Sequence, residues 1–193
     1  MLLIICAVAG AVLAVVDGIT RDRIAAQATI RLQQALRDVL AEADEFQDET
    51  EALSLVKTEA SVGGKPPFAI VQKMYAGYSQ GEHSGFAFMC HPAGYGGVIE
   101  TVVGVSASGN VRGVSVIRHS ETPGLGANVT NSEFQRRFVG IPAGTEVKVK
   151  KDGGQVDAIT GATVSSRAVA DAVNEALRVF EVVCDKGALG NEL

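Results

Sequence analysis

The start of the chain limits the possible folds more than any other part of the sequence. From Leu2 to Val16 there is no charged or strongly polar side chain, and Asp17 ends this apolar run. A chain terminus this apolar predicts a helix that is more often found in a membrane than in a soluble core. As a helix, residues 1–16 span about 24 Å, against roughly 30 Å of bilayer hydrocarbon. We therefore predict a short membrane anchor, with a signal-peptide core, the remainder of a longer anchor or a buried soluble helix as the alternatives.

The charges around this run leave its topology open. Arg21 and Arg23 follow it and only Met1 precedes it. By the positive-inside rule, these arginines would place the C-terminal part in the cytoplasm. With Met1 alone before the apolar run, however, there are no charges on its N-terminal side to compare them with, so the rule does not decide the topology. We expect the segment to be retained, because no basic residue precedes it and no small-residue cleavage site follows it. The predicted organisation is an anchor at 1–19, an amphipathic helix and connector at 20–62, and a domain at 63–193.

Helical periodicity continues beyond the apolar run. The apolar residues of one helix face are Ile24, Ala28, Leu32, Leu36, Val39 and Leu40. This spacing predicts a helix that continues from the anchor and packs on the domain or on a partner protein. The next segment, residues 44–59, is acidic and polar, and we interpret it as an irregular surface stretch.

Composition excludes several classes of function. The net charge is −5 over 193 residues, which argues against a nucleic-acid-binding surface. The basic clusters at 136–137 and 148–151 are short, and we interpret them as solvated faces. The three cysteines (Cys6, Cys90 and Cys184) lack metal-ligand spacing and the three histidines are dispersed, so we predict no metal site. Cys90 and Cys184 either form a disulfide or are two separate buried thiols.

The domain combines consecutive strands with flanking helices. Stretches rich in β-branched and aromatic residues predict strands at 68–75, 85–90, 97–106 and 111–119, and a hairpin turn at 108–110. Alternation in 145–150 and the turn at 152–154 predict a further hairpin that returns through 155–159. Apolar residues at helical spacing predict a helix from Ser166 to Cys184. This order predicts an α+β fold with an antiparallel or mixed twisted sheet, flanking helices and the N-terminal anchor helix.

The turn before the last helix is the first candidate site. Residues 157–163 read DAITGAT, and a helical pattern follows directly. The first turn of a helix offers unpaired N–H groups and the positive end of its dipole, so it can hold a phosphate. Gly161 and Ala162 keep the turn narrow, and Thr163 is the candidate hydroxyl, with Thr160 as the second choice. The simpler interpretation is that Thr163, Ser165 or Ser166 only caps the helix.

A rigid loop forms the second candidate site. Residues 116–126 read VIRHSETPGLG, in which a strand runs into a turn. Pro123 fixes one backbone dihedral angle, and the glycines at 124 and 126 permit unusual ones. Glu121 and Thr122, beside exposed backbone N–H groups, are candidates to contact a flat polar ring. The simpler interpretation is a tight connection in which His119 is a satisfied side chain.

Taken together, these motifs resemble a known family. The loop HSETPGLG, the preceding Gly94-Tyr95-Gly96-Gly97 and the pattern Asp-x-x-Thr-Gly-Ala-Thr-x-Ser-Ser occur in this order in FMN-binding domains. Over nearly its whole length the chain resembles the G subunit of the Rnf complex, an ion-translocating ferredoxin–NAD oxidoreductase. The C subunit of the sodium-translocating NADH–quinone reductase carries the same signature on a longer chain.

The resemblance implies a cofactor and its site. FMN would be joined by a phosphodiester bond to Thr163, and a dedicated FMN transferase would attach it. The residues around the cofactor would be Glu121, Thr122, Gly124, Leu125, Gly126, Gly161 and Ala162. The protein would then fix the position of the flavin and limit its contact with solvent.

The resemblance also implies a location and partners. The chain would be a redox subunit of a membrane translocase, with no complete reaction of its own. It would cross the cell (inner) membrane once and place its soluble domain on the extracytoplasmic side, contrary to the arginine count. Its partners would be the other membrane subunits, the transferase and membrane lipid, with no nucleic acid. The alternatives are the related component of the NADH–quinone reductase, a stand-alone flavin reductase domain, and a non-redox envelope scaffold or binding module.

Overall fold

The computed structural model of the chain describes residues 1–59 and 68–185, without the side chains of Asp22 and Glu59. The chain divides into two units, one ending at Gln34 and one beginning at Ala35. The predicted turn at 63–67 and the predicted boundary between residues 62 and 63 lie outside the described residues. The domain boundaries proposed from the sequence therefore stay predictions.

A single helix, α1 (Leu2–Val39), contains both the apolar run and the amphipathic stretch that follows it. No proline or glycine pair interrupts this sequence, so helical hydrogen bonding can continue through it. An 18-residue window of α1 has a mean hydropathy of 2.6, and by length and composition the helix is able to cross a membrane. The predicted N-terminal helix is confirmed.

The apolar face predicted for residues 24–40 is buried only at its C-terminal end. Leu36, Val39 and Leu40 are buried in the second unit. Ile24, by contrast, is 62% exposed. Packing of the earlier part of this face against a partner protein stays a prediction.

Five strands form one antiparallel sheet in sequential order. They are β1 (Glu45–Asp48), β2 (Val71–Ser79), β3 (Glu82–Cys90), β4 (Glu100–Ser106) and β5 (Val111–Arg118). Each strand pairs with the next along the chain in antiparallel orientation. Between β2 and β3, Gln80 and Gly81 both have positive φ angles, as a two-residue hairpin turn requires. The predicted α+β class with an antiparallel sheet is confirmed.

Four helices and three short 3₁₀ turns accompany the sheet in the described residues. The helices after α1 are α2 (Thr50–Glu59), α3 (Ser132–Gln135) and α4 (Thr163–Asp185). The 3₁₀ turns are Gly126–Thr130, Arg136–Phe138 and Lys150–Asp152. The predicted terminal helix is confirmed as α4, which begins three residues earlier than Ser166. Its buried residues Val169, Val173 and Leu177 follow the helical period and pack against the sheet.

The prediction of irregular structure at 44–59 is wrong. This segment forms the edge strand β1 and the helix α2. Leu53 and Val56, three residues apart, are almost completely buried in the core. Two apolar residues at helical spacing were enough to anchor α2, although acidic residues surround them.

The predicted hairpin at 145–159 is also wrong. Val147 and Val149 are buried, as the alternation requires, but they do not belong to a ladder. The backbone of Val147 bonds instead to the side chain of Asn174 in α4, through Oδ1 and Nδ2 at 2.7 Å each. Only an isolated parallel bridge joins Val149 to Val156. Because a helix side chain satisfies this backbone, no partner strand is needed.

The cysteines are free thiols. Cys90 is fully buried, and burial raises the pKa of its thiol far above the ordinary value. Cys184 is exposed near the end of α4. Of the two sequence interpretations, separate thiols are therefore correct, although only Cys90 is buried.

Two facing glycines allow the end of α1 to lie close to the sheet. Gly104 of β4 is paired with Gly113 of β5. A Cβ atom at Gly104 would lie 2.3 Å from the carbonyl oxygen of Val39, and one at Gly113 would lie 2.8 Å from its Cα. Side chains alternate along a strand, so Val103 and Val105 face the core with α4 while Gly104 faces Val39. The sheet is thus covered on both faces at this point.

We expect the substitution Gly104→Ala to destabilise the second unit. The added methyl group collides with helix backbone, which cannot rotate away, and overpacking of this kind costs about 1–3 kcal/mol. Urea unfolding of the full chain in detergent, followed by circular dichroism, measures the change. Gly18→Ala is the control, because a Cβ there meets nothing within 4 Å. Equal unfolding midpoints for the two variants would contradict the close approach.

Candidate functional site

A cleft of ≈ 540 Å³ lies between the loop after β5 and the first turn of α4. Its lining residues are Tyr95, Glu121, Thr122, Leu125, Gly126, Gly161, Ala162, Thr163, Val164 and Ser165. The two sequence motifs are therefore neighbours in space, although about 40 residues separate them. Leu125 makes one of the contacts between them, since a Cβ atom at Gly161 would lie 3.1 Å from Leu125 Cδ2.

The structure brings together all but one of the residues predicted for this site. The exception is Gly124, which does not line the cleft. Gly124 has a φ of +75° and occupies the turn before Leu125. Its carbonyl oxygen accepts a hydrogen bond of 3.1 Å from Asn128 Nδ2. Gly124 thus shapes the loop, because residues with a Cβ rarely adopt this φ.

Glu121 ties three segments together beneath the cleft. Its side chain is only 5% exposed. Glu121 Oε1 accepts the N–H of Gly96 at 2.8 Å, and Oε2 accepts the hydroxyl of Ser165 at 2.5 Å. The backbone N–H of Glu121 donates to His119 Nδ1 at 3.2 Å. These contacts join the β3–β4 connection, the loop after β5 and helix α4.

The neighbours of this carboxylate have to be small. A Cβ atom at Gly126 would lie 2.4 Å from Glu121 Oε2, and one at Gly94 would lie 2.4 Å from Oε1. Glycine at these two positions lets the backbone approach the buried carboxylate. The sequence motif predicted Glu121 as a contact to a flat ring. The structure shows that its carboxylate also holds the segments beneath the cleft together, which the motif did not indicate.

Thr163 is the first residue of α4, at the mouth of the cleft. Its side chain is half-buried, and its Oγ1 accepts a hydrogen bond of 3.1 Å from Lys151 Nζ. The backbone N–H groups of residues 163–165 donate no hydrogen bond within the described part of the chain. Unpaired N–H groups at a helix start are the donors that bind an anion.

The serines that follow do not cap α4. Ser165 bonds to Glu121, as described above. Ser166 Oγ accepts the N–H of Ile159 at 3.0 Å and donates to the carbonyl oxygen of Ala162 at 2.9 Å. Ser166 thus holds the Thr-Gly-Ala-Thr turn in shape and leaves the helix start open.

Ion pairs fix the turn from outside. Asp157 Oδ2 lies 2.8 Å from Lys150 Nζ. Asp152 receives two hydrogen bonds from Arg167, at 2.6 and 2.7 Å. The hydrogen bond from Lys150 lowers the pKa of the Asp157 carboxyl group. The hydrogen bonds from Arg167 lower the pKa of the Asp152 carboxyl group in the same way. Both carboxylates therefore stay ionised at neutral pH.

Several residues that lie at the site were not among the predicted site residues. Lys151 belongs to the basic cluster interpreted above as a solvated face, and its contact with Thr163 depends on a 3₁₀ turn. Tyr95 and Val164 also line the cleft, with exposed fractions of 77% and 44%. The only available signal for Lys151 was its position directly before the glycine turn that leads into the motif.

The cleft has the properties that a flavin nucleotide requires. Its volume is within the range of small-molecule sites, about 300–1,000 Å³. Exposed apolar surface of Tyr95, Leu125 and Val164 is available to a flat ring. A hydroxyl, unpaired N–H groups and an ammonium meet at one end, where a phosphate would lie.

Comparison with known sequences agrees with this geometry. Residues 94–178, which include both walls of the cleft, match the FMN-binding domain family. The chain is 35% identical to the G subunit of the ion-translocating oxidoreductase complex of Methanosarcina acetivorans over 178 residues, or 91% of this chain and 89% of that protein. It is 31% identical to the G subunit of the Na(+)-translocating ferredoxin:NAD(+) oxidoreductase complex of Acetobacterium woodii over 187 residues. This alignment covers 94% of this chain and 89% of that protein. The chain therefore belongs to the G subunit family of ion-translocating oxidoreductase complexes, as its motifs predicted.

A solved structure shares the fold. NqrC of Shewanella oneidensis superposes with a TM-score of 0.56 at 19% sequence identity, covering 81% of this chain and 99% of that chain. At this identity the likeness concerns the fold alone.

Proposed function

We propose that this chain is the electron-relaying G subunit of a membrane-bound ferredoxin–NAD oxidoreductase, and that it carries FMN covalently on Thr163. The observation that carries the proposal is the position of one hydroxyl. Thr163 Oγ1 lies at the mouth of the cleft, beside unpaired N–H groups and the ammonium of Lys151. Membership of the G subunit family supports the redox role.

In this proposal the residues of the cleft have distinct tasks. Bound FMN supplies the electron-transfer chemistry. Leu125, Val164 and Tyr95 exclude water from the ring, while Thr122 and the backbone of the loop after β5 offer polar contacts. Glu121 holds the walls in place through Gly96 and Ser165. Gly161 and Ala162 leave room beside the attachment oxygen.

The linkage forms by transfer from an activated donor. A flavin dinucleotide is such a donor, because its phosphoanhydride bond is broken when the FMN phosphorus is attacked. Thr163 Oγ1 would form the new bond to phosphorus, a nucleoside monophosphate would leave with the anhydride oxygen, and the hydroxyl proton would pass to a base of the transferase or to water. No electrons are exchanged in this step. The product is a phosphodiester with one negative charge.

Location and partners follow from the same proposal. Helix α1 anchors the chain in the cell membrane as a single span, in contact with lipid and the other membrane subunits. The second unit lies on the extracytoplasmic side, where a dissociated cofactor would not be replaced. A covalent bond to Thr163 would prevent loss of the cofactor on that side of the membrane. The G subunits to which the chain is more than 30% identical favour this complex over the related NADH–quinone reductase.

Mass spectrometry of the full chain tests the proposal. The chain is expressed with and without an FMN transferase, purified from membranes and denatured. We expect yellow fluorescence on a denaturing gel, and a mass gain of one FMN less one water, only with the transferase. A chain without this mass would be a scaffold or a noncovalent carrier. In the purified complex, NADH should then bleach the flavin absorbance, and a flavin that stays oxidised would contradict the relay.

A further inference from the structure

The 3₁₀ turn Lys150–Asp152 contacts the attachment motif at two points and the helix that follows the motif at a third. Lys150 pairs with Asp157, the first residue of the motif, at 2.8 Å. Lys151 donates to the Thr163 hydroxyl at 3.1 Å. Asp152 pairs with Arg167, one turn into α4. Consecutive residues thus contact the first residue of the motif, its candidate attachment oxygen and the helix that follows.

The charges around the motif do not cancel. Lys150 and Asp157 neutralise each other, as do Asp152 and Arg167. Lys151 forms no ion pair with any residue that the structure describes. Arg137, which donates to the carbonyl oxygen of Asp157 at 2.7 Å, pairs with Glu133, and Glu121 accepts from Ser165 beyond the end of the seven-residue stretch 157–163. Among the cations that contact residues 157–163, Lys151 is therefore the one without an ion pair in the described part of the chain, and it touches Thr163. A phosphodiester carries one negative charge.

The backbone fixes Lys151 in this position. The N–H of Lys150 donates to the carbonyl oxygen of Val156 at 2.8 Å, and the N–H of Val156 donates to that of Lys148 at 3.1 Å. Gly153 ends the turn with a φ of +82°. The turn is therefore bonded to the segment that leads into the motif, and Lys151 does not depend on its own side-chain contact for its place.

We infer that Lys151 is the cation that meets the FMN phosphate, both while the bond to Thr163 forms and in the finished protein. This inference rests on the proposed covalent FMN at Thr163. When Oγ1 attacks phosphorus, its proton leaves and negative charge builds up on the phosphate oxygens. An ammonium already bonded to Oγ1 is adjacent to that charge and lowers the barrier. The bonds made and broken are those given above for the transfer, and Lys151 keeps its protons.

The test uses three variants of the full chain. Lys151→Gln removes the charge, Lys151→Arg keeps it, and Lys148→Gln removes an equal charge from a nearby residue that pairs with Glu146. Each protein is purified without flavin from cells that lack the transferase. Purified transferase and FAD are then added, and covalent FMN is followed over time by intact-mass spectrometry.

We expect Lys151→Gln to lower the kcat of incorporation about 10- to 100-fold, the range of one charge-assisted hydrogen bond. Lys151→Arg should recover most of the rate, since its guanidinium is also a charged donor. Lys148→Gln should match the parent chain. Lys151 is exposed, so the thermal unfolding of the flavin-free variants should not change.

Different failures have different meanings. Equal rates for Lys151→Gln and Lys148→Gln would overturn the inference and leave the proposed function intact. A rise in KM for the chain at unchanged kcat would also overturn it, because Lys151 would then serve docking of the transferase. If Lys151→Gln unfolds early, the rate of Lys151→Arg decides, and a rate as slow as that of Lys151→Gln overturns the inference. No FMN on the parent chain would refute the proposed function itself.

Discussion

Thr163→Val is expected to abolish covalent FMN completely. Valine has nearly the shape of threonine but no hydroxyl, so no oxygen remains at this place to form the phosphodiester bond. The fold should be unaffected, because the hydrogen bond of this hydroxyl within the described residues is the one from the exposed Lys151. Intact-mass spectrometry after expression with the transferase measures the loss, and a denaturing gel should show no flavin fluorescence.

Thr160→Val is the matched control for this substitution. Thr160 carries the same side chain three residues earlier, is exposed and does not line the cleft. We expect this variant to carry FMN as the parent chain does. Covalent flavin on Thr163→Val, or its loss from Thr160→Val alone, would move the attachment site to Thr160.

Glu121→Ala is expected to have the largest effect on stability. The substitution leaves the hydroxyl of the buried Ser165 without its acceptor and removes the part-buried bond from the N–H of Gly96, which is an exposed residue. A buried donor left unpaired costs about 1–3 kcal/mol and an ordinary hydrogen bond contributes about 0.5–1.5 kcal/mol, so the free energy of unfolding should fall by about 2–4 kcal/mol. Urea unfolding in detergent measures it. FMN incorporation should slow as well, because the walls of the cleft lose their common support.

Two controls separate geometry from a general effect of removing glutamate. In Glu121→Gln the amide oxygen can accept the Gly96 N–H while the amide N–H₂ donates to Ser165, so we expect a loss of only about 1 kcal/mol. Glu133→Ala removes an exposed glutamate that pairs with Arg137, and should change stability by less than about 0.5 kcal/mol. If Glu121→Ala were as stable as Glu133→Ala, the carboxylate would not support the cleft.

Local patterns predicted most of the elements correctly. The β-branched stretches became β2 to β5, and the helical period after the Thr-Gly-Ala-Thr turn became α4. These signals are strong because burial on one face imposes a period on the residues of each element. The candidate site residues that were chosen from the two motifs line one cleft, with the exception of Gly124.

The errors have a common physical cause. Residues 145–150 alternate like a strand, yet Asn174, distant in sequence, takes up the backbone bonds of Val147. Lys151 contacts Thr163 only because a 3₁₀ turn and its glycine bring the ammonium there. Contacts of this kind depend on tertiary packing and leave no periodic trace in the sequence. The sequence did not predict the contacts of the buried Glu121 carboxylate for the same reason, because its partners Gly96 and Ser165 are distant along the chain.

The carboxylate of Glu121 reaches partners 25 and 44 residues away along the chain. Neither partner is near it until the sheet and α4 have come together, so a partly folded molecule has no cleft to fill. In the proposed function, it is therefore the folded domain that encloses the flavin beside Thr163.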